Sequence, residues 1–128
     1  VLGADQVLVC DGHLFSKCAN ADAARDVLNA LRGRAHVLIS AAVIAHEASV
    51  LWRNSETAQL TMRDFSGDFL EDYLAKEMPE ALGSVGCYRI EGRGAQLFAR
   101  VSGDHFCIRG LPFFAVLEAF RDMGALAR

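Results

Sequence analysis

The run from Val37 to Ala45 restricts the fold most, because it is apolar at both alternating positions of a strand. A strand that is apolar on both faces needs cover on both faces, as a central strand in a layered α/β protein has. The run is far too short to cross a bilayer, for which a helix needs roughly 20 residues. The chain is therefore expected to form a sheet with this segment near its centre.

Composition limits the class of protein and its partners. The 128 residues suit one domain over residues 1–128, and 52% hydrophobic with 23% charged residues excludes disorder and coiled coil. The formal net charge is -3, which gives no general attraction to a nucleic acid polymer or an anionic membrane. We therefore expect a soluble globular domain with neither of these as a partner.

Turn and capping signals divide the chain into strands and helices. The predicted strands are Val1–Cys10, His13–Phe15, Val37–Ala45, Val50–Met62, Ala95–Val101 and His105–Ile108. The predicted helices are Ala21–Leu31 after Asn20, Gly67–Lys76 after Ser66, and one that begins at Pro112. Because hairpins interrupt the alternation, the predicted fold class is α/β, with a mixed β-sheet and flanking helices.

The first residues predict that the front of the native protein is missing. Val1 to Cys10 reads as a buried strand, and neither an initiator Met nor a signal-type segment precedes it. Chain termini usually lie at the surface rather than inside a central strand.

Four cysteines, Cys10, Cys18, Cys87 and Cys107, are scattered without a C-x-x-C pair, and the four histidines show no ligand spacing with them. This pattern favours free and mostly buried thiols in a reducing cytoplasm over a zinc site.

Asp5 is the first candidate for chemistry, because a carboxylate in an apolar strand is costly to bury unless it is paired or bound to a metal. It would hold Mg²⁺ or position a water, or else accept backbone N–H bonds in a turn. The neighbouring Gln6, on the opposite face, would contact a ligand base or face solvent.

Lys17 and the segment Tyr88–Gly94 are the other candidates. Lys17 precedes a helix N-terminus, a combination that suits phosphate, although the position by itself favours a solvated loop lysine. Gly92 and Gly94 would let the backbone approach a ligand, and Glu91 would accept hydrogen bonds from the N–H groups of a base. The alternative is that the segment is only a bulged turn. The segment is not a dinucleotide fingerprint, because the third glycine is absent.

Taken together, these residues resemble the motif order of the Maf family, the nucleoside triphosphate pyrophosphatases once called septum formation inhibitors. The segments that carry the resemblance are Gly3-Ala4-Asp5-Gln6, Asp11-Gly12, Lys17 before a helix, Ser40-Ala41-Ala42-Val43, Gly83 to Gly94, Gly103-Asp104 and Gly110-Leu111-Pro112. They cover nearly the whole chain. Cys18 stands where the family usually has proline, and Ser16 where it usually has glycine.

The resemblance implies a Maf / inosine-triphosphatase-like fold, of which residues 1–128 are the C-terminal two-thirds. It also implies hydrolysis of a nucleoside triphosphate to the monophosphate and pyrophosphate, with Mg²⁺ or Mn²⁺ as cofactor, in a cytoplasmic homodimer. Asp5 would be the catalytic and metal-linked carboxylate, and Lys17 would contact phosphate. Gln6 and Glu91 match the positions that set base preference, in a combination similar to the subgroup acting on 7-methyl-GTP.

A second function remains open, that of a non-catalytic nucleotide-binding regulator of septum formation. Asp5 favours the enzyme, because a pure binding module has no need for that carboxylate. We further expect residues 1–128 alone to be inactive and to self-associate. One lysine and one aspartate do not suffice for a triphosphate, and an uncovered sheet edge promotes association.

Overall fold

Five strands form one sheet in the order β2-β1-β3-β4-β5 in a computed structural model that describes all residues from Val1 to Arg128. The strands are β1 (Leu2–Cys10), β2 (His13–Phe15), β3 (Ala35–His46), β4 (Ser49–Met62) and β5 (Phe98–Ser102). The helices are α1 (Ala21–Leu31), α2 (Gly67–Glu77), α3 (His105–Ile108) and α4 (Phe113–Asp122). The α/β class is confirmed. Every neighbouring pair of strands is antiparallel, so the parallel pairing of a mixed sheet does not occur.

The apolar run predicted as a central strand lies at the centre, since β3 pairs with β1 on one side and with β4 on the other. Its side chains alternate between buried and half-buried positions, as the two-residue period of a strand requires. The fully buried side is His36, Leu38, Ser40, Ala42 and Ile44. Helices α1 and α2 cover the sheet, and Leu28, Leu31, Leu70 and Leu74 join the core.

The predicted hairpin turn and the two predicted helix caps are confirmed. Asp11 and Gly12 have φ angles of 50° and 79°, which suit the tight hairpin between β1 and β2. The side chain of Asn20 accepts a hydrogen bond from the backbone N–H of Ala23 and caps α1. The side chain of Ser66 accepts a hydrogen bond from the backbone N–H of Phe69 and caps α2.

Two strand predictions near the C-terminus are wrong. The strand predicted over Ala95–Val101 begins only at Phe98, because residues 93–97 form a 3₁₀ turn. The segment His105–Ile108 is helical, because Asp104 accepts a hydrogen bond from the backbone N–H of Cys107 at 3.1 Å and starts the helix.

The first half of β1 is exposed rather than buried. Here β1 pairs with β3 alone, because β2 reaches only as far as Leu8. Leu2 and Val7 are 41% and 37% exposed. No helix of the structure combines the length and the apolarity needed to cross a membrane.

Candidate functional site

A cleft of about 290 Å³ lies where the first half of β1 meets the loop after β2, the turns from residue 83 to residue 91 and the end of α3. Its floor is apolar and includes Leu38, Val85, Tyr88 and Ile108. Its charged and amide side chains are Asp5, Gln6, Lys17, Arg89, Glu91 and Arg109. The four residues singled out in the sequence, which lie up to 86 positions apart, therefore line one cleft.

Gln6 is fixed by its amide nitrogen. Nε2 donates to the carbonyl oxygens of Cys107 and Ile108 at 3.0 and 2.9 Å and lies 3.1 Å from Ser40 Oγ. Because these carbonyls can only accept, the nitrogen must face them and the amide orientation is determined. Oε1 has no hydrogen-bond partner within the protein, so Gln6 offers a ligand an acceptor and no free donor.

Ser40 supports this arrangement and was not predicted as part of a site. It is fully buried on β3, directly opposite Gln6 in the β1–β3 register, and its hydroxyl donates to the carbonyl oxygen of Cys107 at 2.6 Å. A lone hydroxyl within an apolar strand is the signal that could have found it, since a buried polar group needs a partner.

Asp5 is exposed, so the prediction of a buried carboxylate is wrong. The cause is the unpaired outer edge of β1 at this position. Oδ1 accepts a hydrogen bond from the backbone N–H of Gln6 at 2.8 Å, and no cationic side chain pairs with the carboxylate. The second oxygen, Oδ2, is left without a protein partner in the cleft.

Lys17 is exposed on the loop before α1 and forms no ion pair. The two arginines of the cleft differ from it in this respect. Arg89 Nη2 lies 3.2 Å from Oε2 of the buried Glu77. Arg109 Nε lies 3.8 Å from Glu91 Oε2. Lys17 is therefore the one cationic side chain of the cleft without an acidic partner.

One glycine of the Tyr88–Gly94 segment, Gly94, is required by packing within the protein. A Cβ added at Gly94 would collide with the backbone of Arg89, so the tight fold of this segment requires glycine there. The segment is a turn, as the simpler interpretation proposed, and it also carries Glu91 to the rim of the cleft. Arg89 and Arg109, which sequence reasoning did not assign to the site, complete that rim.

Tyr88 connects the cleft to a buried histidine. Its hydroxyl lies 2.8 Å from His36 Nε2, and both side chains are almost inaccessible to solvent. Burial lowers the pKa of His36 to about 4, because the charged imidazolium would lose its hydration. His36 is therefore neutral near pH 7, and it stabilises the position of the Tyr88 ring.

One acidic cluster lies beside the cleft, formed by Glu56, Asp104 and Cys107. Each of its groups already has a role within the protein: Cys107 Sγ donates to Glu56 Oε2 at 2.8 Å, and Asp104 caps α3. Burial raises the pKa of the Cys107 thiol to about 12, so near pH 7 the sulfur carries the proton that it donates to Glu56. We interpret the cluster as a structural hydrogen-bond network.

Asp5 fits a divalent cation better, as one ligand among several. Mg²⁺ commonly binds through one or two carboxylates together with substrate phosphates and water. The unengaged Oδ2 of Asp5 can supply one oxygen to such an ion from the cleft wall.

The sequence is similar to known bacterial proteins. The profile of the family described as "Maf-like protein" matches residues 1–123. A nucleoside triphosphate pyrophosphatase of Granulibacter bethesdensis is 50% identical over 98% of this chain and 64% of its own length. One of Paramagnetospirillum magneticum is 45% identical over 98% of the chain and 65% of its own length. A 7-methyl-GTP pyrophosphatase of Mesorhizobium japonicum is 45% identical over 98% of this chain and 63% of its own length. The chain thus spans less than two thirds of the length of these curated relatives.

Proposed function

The chain belongs to the Maf-like protein family, and from this membership we propose that the protein hydrolyses nucleoside triphosphates to the monophosphate and pyrophosphate. The proposal is supported by one observation: a negatively and a positively charged side chain line the same cleft without pairing with other residues. Asp5 and Lys17 both line it, and neither has an ion-pair partner within the protein. Charged side chains without partners are the groups that remain available to a charged ligand.

Asp5 is the catalytic carboxylate in this proposal. Its hydrogen bond from the Gln6 N–H fixes the orientation of the carboxylate, while Oδ2 remains free to accept a proton from the attacking water or to hold a cation. A bound Mg²⁺ or Mn²⁺ would neutralise phosphate charge and polarise the α-phosphate. Lys17, which lines the same cleft, donates to phosphate oxygens and lowers the energy of the departing pyrophosphate.

Base recognition is assigned to Gln6 and Glu91. Since the Gln6 amide nitrogen is occupied within the protein, Gln6 presents Oε1 as an acceptor. Glu91 presents a carboxylate that lies 3.8 Å from Arg109 Nε and whose oxygens still have room to accept a hydrogen bond from a ligand. Two acceptors suit a base edge that carries donors, such as the N–H groups of guanine. A methylated guanine that carries positive charge favours a carboxylate over an amide at position 91. We therefore propose 7-methyl-GTP as a preferred substrate.

The charge inventory of the cleft supports the expectation that residues 1–128 alone do not turn over substrate. Arg89 and Arg109 are paired with Glu77 and Glu91, which leaves Lys17 to meet a triphosphate. Phosphoryl transfer needs several positive groups around the phosphates. We therefore propose that turnover needs cationic groups beyond those that this cleft provides.

We also propose a cytoplasmic homodimer. Four free cysteines suit a reducing compartment. Exposed apolar side chains at Val50 and Leu51 on the β3–β4 hairpin and at Phe114 on α4 offer surface that a second copy can cover. Light scattering coupled to gel filtration tests the dimer, and a monomer at micromolar concentration contradicts it.

The experiment for the activity measures both products. The protein is incubated with Mg²⁺ or Mn²⁺ and a panel containing GTP, UTP, ATP and 7-methyl-GTP, and products are separated by ion-exchange chromatography. The proposal expects one monophosphate and one pyrophosphate for each triphosphate consumed. A diphosphate with inorganic phosphate would show cleavage at the wrong bond. Nucleotide binding without any product would instead favour the non-catalytic regulator of septum formation.

A further inference from the structure

Two of the free cysteines lie in contact although they are far apart in sequence. Sγ of Cys18 and Sγ of Cys87 are 2.6 Å apart, although the two residues are separated by 69 positions in sequence. Cys18 lies in the loop between β2 and α1, directly after Lys17, and Cys87 lies in the turn before Tyr88. Lys17 and Tyr88 both line the cleft, so the sulfur contact joins two walls of the candidate site.

We propose that Cys18 and Cys87 are a redox modification site at which a hydroperoxide converts the two thiols reversibly into a disulfide. In the first step the Cys18 thiolate attacks the peroxide oxygen, an S–O bond forms, the O–O bond breaks, and the departing alkoxide or hydroxide takes up a proton. The Cys87 sulfur then attacks Cys18 sulfur. An S–S bond forms, the S–O bond breaks, and hydroxide leaves with the Cys87 proton as water. The peroxide gains two electrons, and each sulfur loses one.

The difference in burial between the two cysteines determines which of them reacts first. Cys18 is half-buried, so a small oxidant can reach it, whereas Cys87 is fully buried and its sulfur contacts that of Cys18. Burial is the main cause, and the hydrogen bond with Cys18 the second cause, that raises the pKa of Cys87 to about 12. Cys87 therefore remains a thiol until the first step has occurred. Cys18 is therefore the attacking residue and Cys87 the resolving residue.

The other two cysteines have different partners and provide controls. Cys10 Sγ donates to the carbonyl oxygen of Ala35 at 3.5 Å, and Cys107 Sγ donates to Glu56. Both are buried, and neither sulfur is hydrogen-bonded to another sulfur. A specific reaction must therefore consume Cys18 and Cys87 and leave Cys10 and Cys107 as thiols.

The experiment counts thiols by mass. The purified protein is treated with hydrogen peroxide, quenched, unfolded, alkylated and measured by intact mass, and then digested to locate the pair. We expect two of the four cysteines to escape alkylation, a peptide pair containing Cys18 and Cys87, and full recovery with dithiothreitol. The Cys10→Ser variant should behave in the same way, whereas Cys18→Ser should form no disulfide.

Melting temperature provides a second measurement, because closing a long loop restricts the unfolded chain. Oxidised protein should melt several degrees above reduced protein, and Cys18→Ala should show no such difference while still melting cooperatively. If Cys18 and Cys87 can both still be alkylated after peroxide treatment, the proposal is overturned. It is overturned equally by a bond that involves Cys10 or Cys107, or by Cys18 that proceeds to sulfinic acid beside an unmodified Cys87. None of these readouts depends on nucleotide hydrolysis.

Discussion

Gln6 Nε2 donates a hydrogen bond to the carbonyl oxygen of Ile108 at 2.9 Å, joining β1 to the last residue of α3 across 102 positions of sequence. The same nitrogen reaches the carbonyl oxygen of Cys107. The residue proposed to recognise the base is thus also a structural link between the two sides of the cleft. Its two roles involve different atoms, Nε2 for the link and Oε1 for a ligand.

Gln6→Ala is expected to destabilise the protein, because two carbonyl oxygens at the end of α3 lose their donor in a partly buried position. The loss should be about 1–3 kcal/mol in the free energy of unfolding. Urea unfolding followed by circular dichroism measures it. Gln59→Ala on β4 is the matched control, since Gln59 is exposed, and its stability should change far less. Equal losses in both variants would contradict the anchoring role.

Glu91→Gln should change substrate preference. Removal of the negative charge should lower kcat/KM for 7-methyl-GTP more than for GTP or UTP, because only the methylated base carries a positive charge. A charge-assisted hydrogen bond is worth roughly 1.5–3 kcal/mol, which corresponds to about ten- to a hundredfold in kcat/KM. The control is Glu80→Gln, an exposed carboxylate outside the cleft. Equal losses on all nucleotides would make Glu91 a structural residue.

The two lysines of the chain form a natural pair of variants. Lys17 lines the cleft without a partner, whereas Lys76 pairs with Asp72 at 2.8 Å on the exposed face of α2. Lys17→Met should reduce kcat/KM for triphosphates by about tenfold or more, since one charge-assisted phosphate contact is lost. Lys76→Met should leave kcat/KM unchanged. Steady-state kinetics on both variants measure this, and indistinguishable values would remove Lys17 from the site.

His36 should make the protein less stable in mild acid. Burial lowers its pKa from 6.5 to about 4, so the unfolded chain takes up a proton at a higher pH than the folded protein does. The stability that neutral His36 provides is therefore complete above about pH 6.5 and is lost as the pH falls towards 4, by up to about 3 kcal/mol.

The measurement for His36 is urea unfolding at a series of pH values between 7 and 4.5. His36→Gln should flatten the pH dependence relative to the natural protein. His46→Gln, which changes an exposed histidine at the end of β3, should not. Parallel pH profiles for the natural protein and His36→Gln would show that His36 does not titrate in this way.

The elements that could be predicted from the sequence are those fixed by local interactions. Asp11-Gly12 specifies its hairpin within four residues, and Asn20 and Ser66 cap helices three residues away. The apolar run from Val37 to Ala45 placed the central strand correctly, because β3 pairs with a strand on each side. The predicted cover on both faces is wrong, since one face of β3 is buried and the other only half-buried.

The remaining features depend on contacts between distant residues. His105–Ile108 is too short for periodicity to distinguish a helix from a strand, and the cap from Asp104 decides it. The internal bonds of Gln6 arise only when α3 packs beside β1 and β3, and the exposure of Asp5 arises because no strand pairs with the outer edge of β1 there. The pairing of Arg109 with Glu91 likewise arises only when α3 reaches the rim of the cleft.

Pyrophosphate release by Asp5→Asn, measured with Mg²⁺ and saturating 7-methyl-GTP or GTP, shows whether this cleft is catalytic. The protein is expressed from its complete natural coding sequence. Asp26→Asn, at an exposed position of α1, is the matched control. We expect Asp5→Asn to melt as the natural protein does and to lose at least about a hundredfold in kcat, the scale of a positioned acid or base. Asp26→Asn should retain full activity. A folded Asp5→Asn protein with near-natural kcat would contradict the assignment of this cleft as the catalytic site.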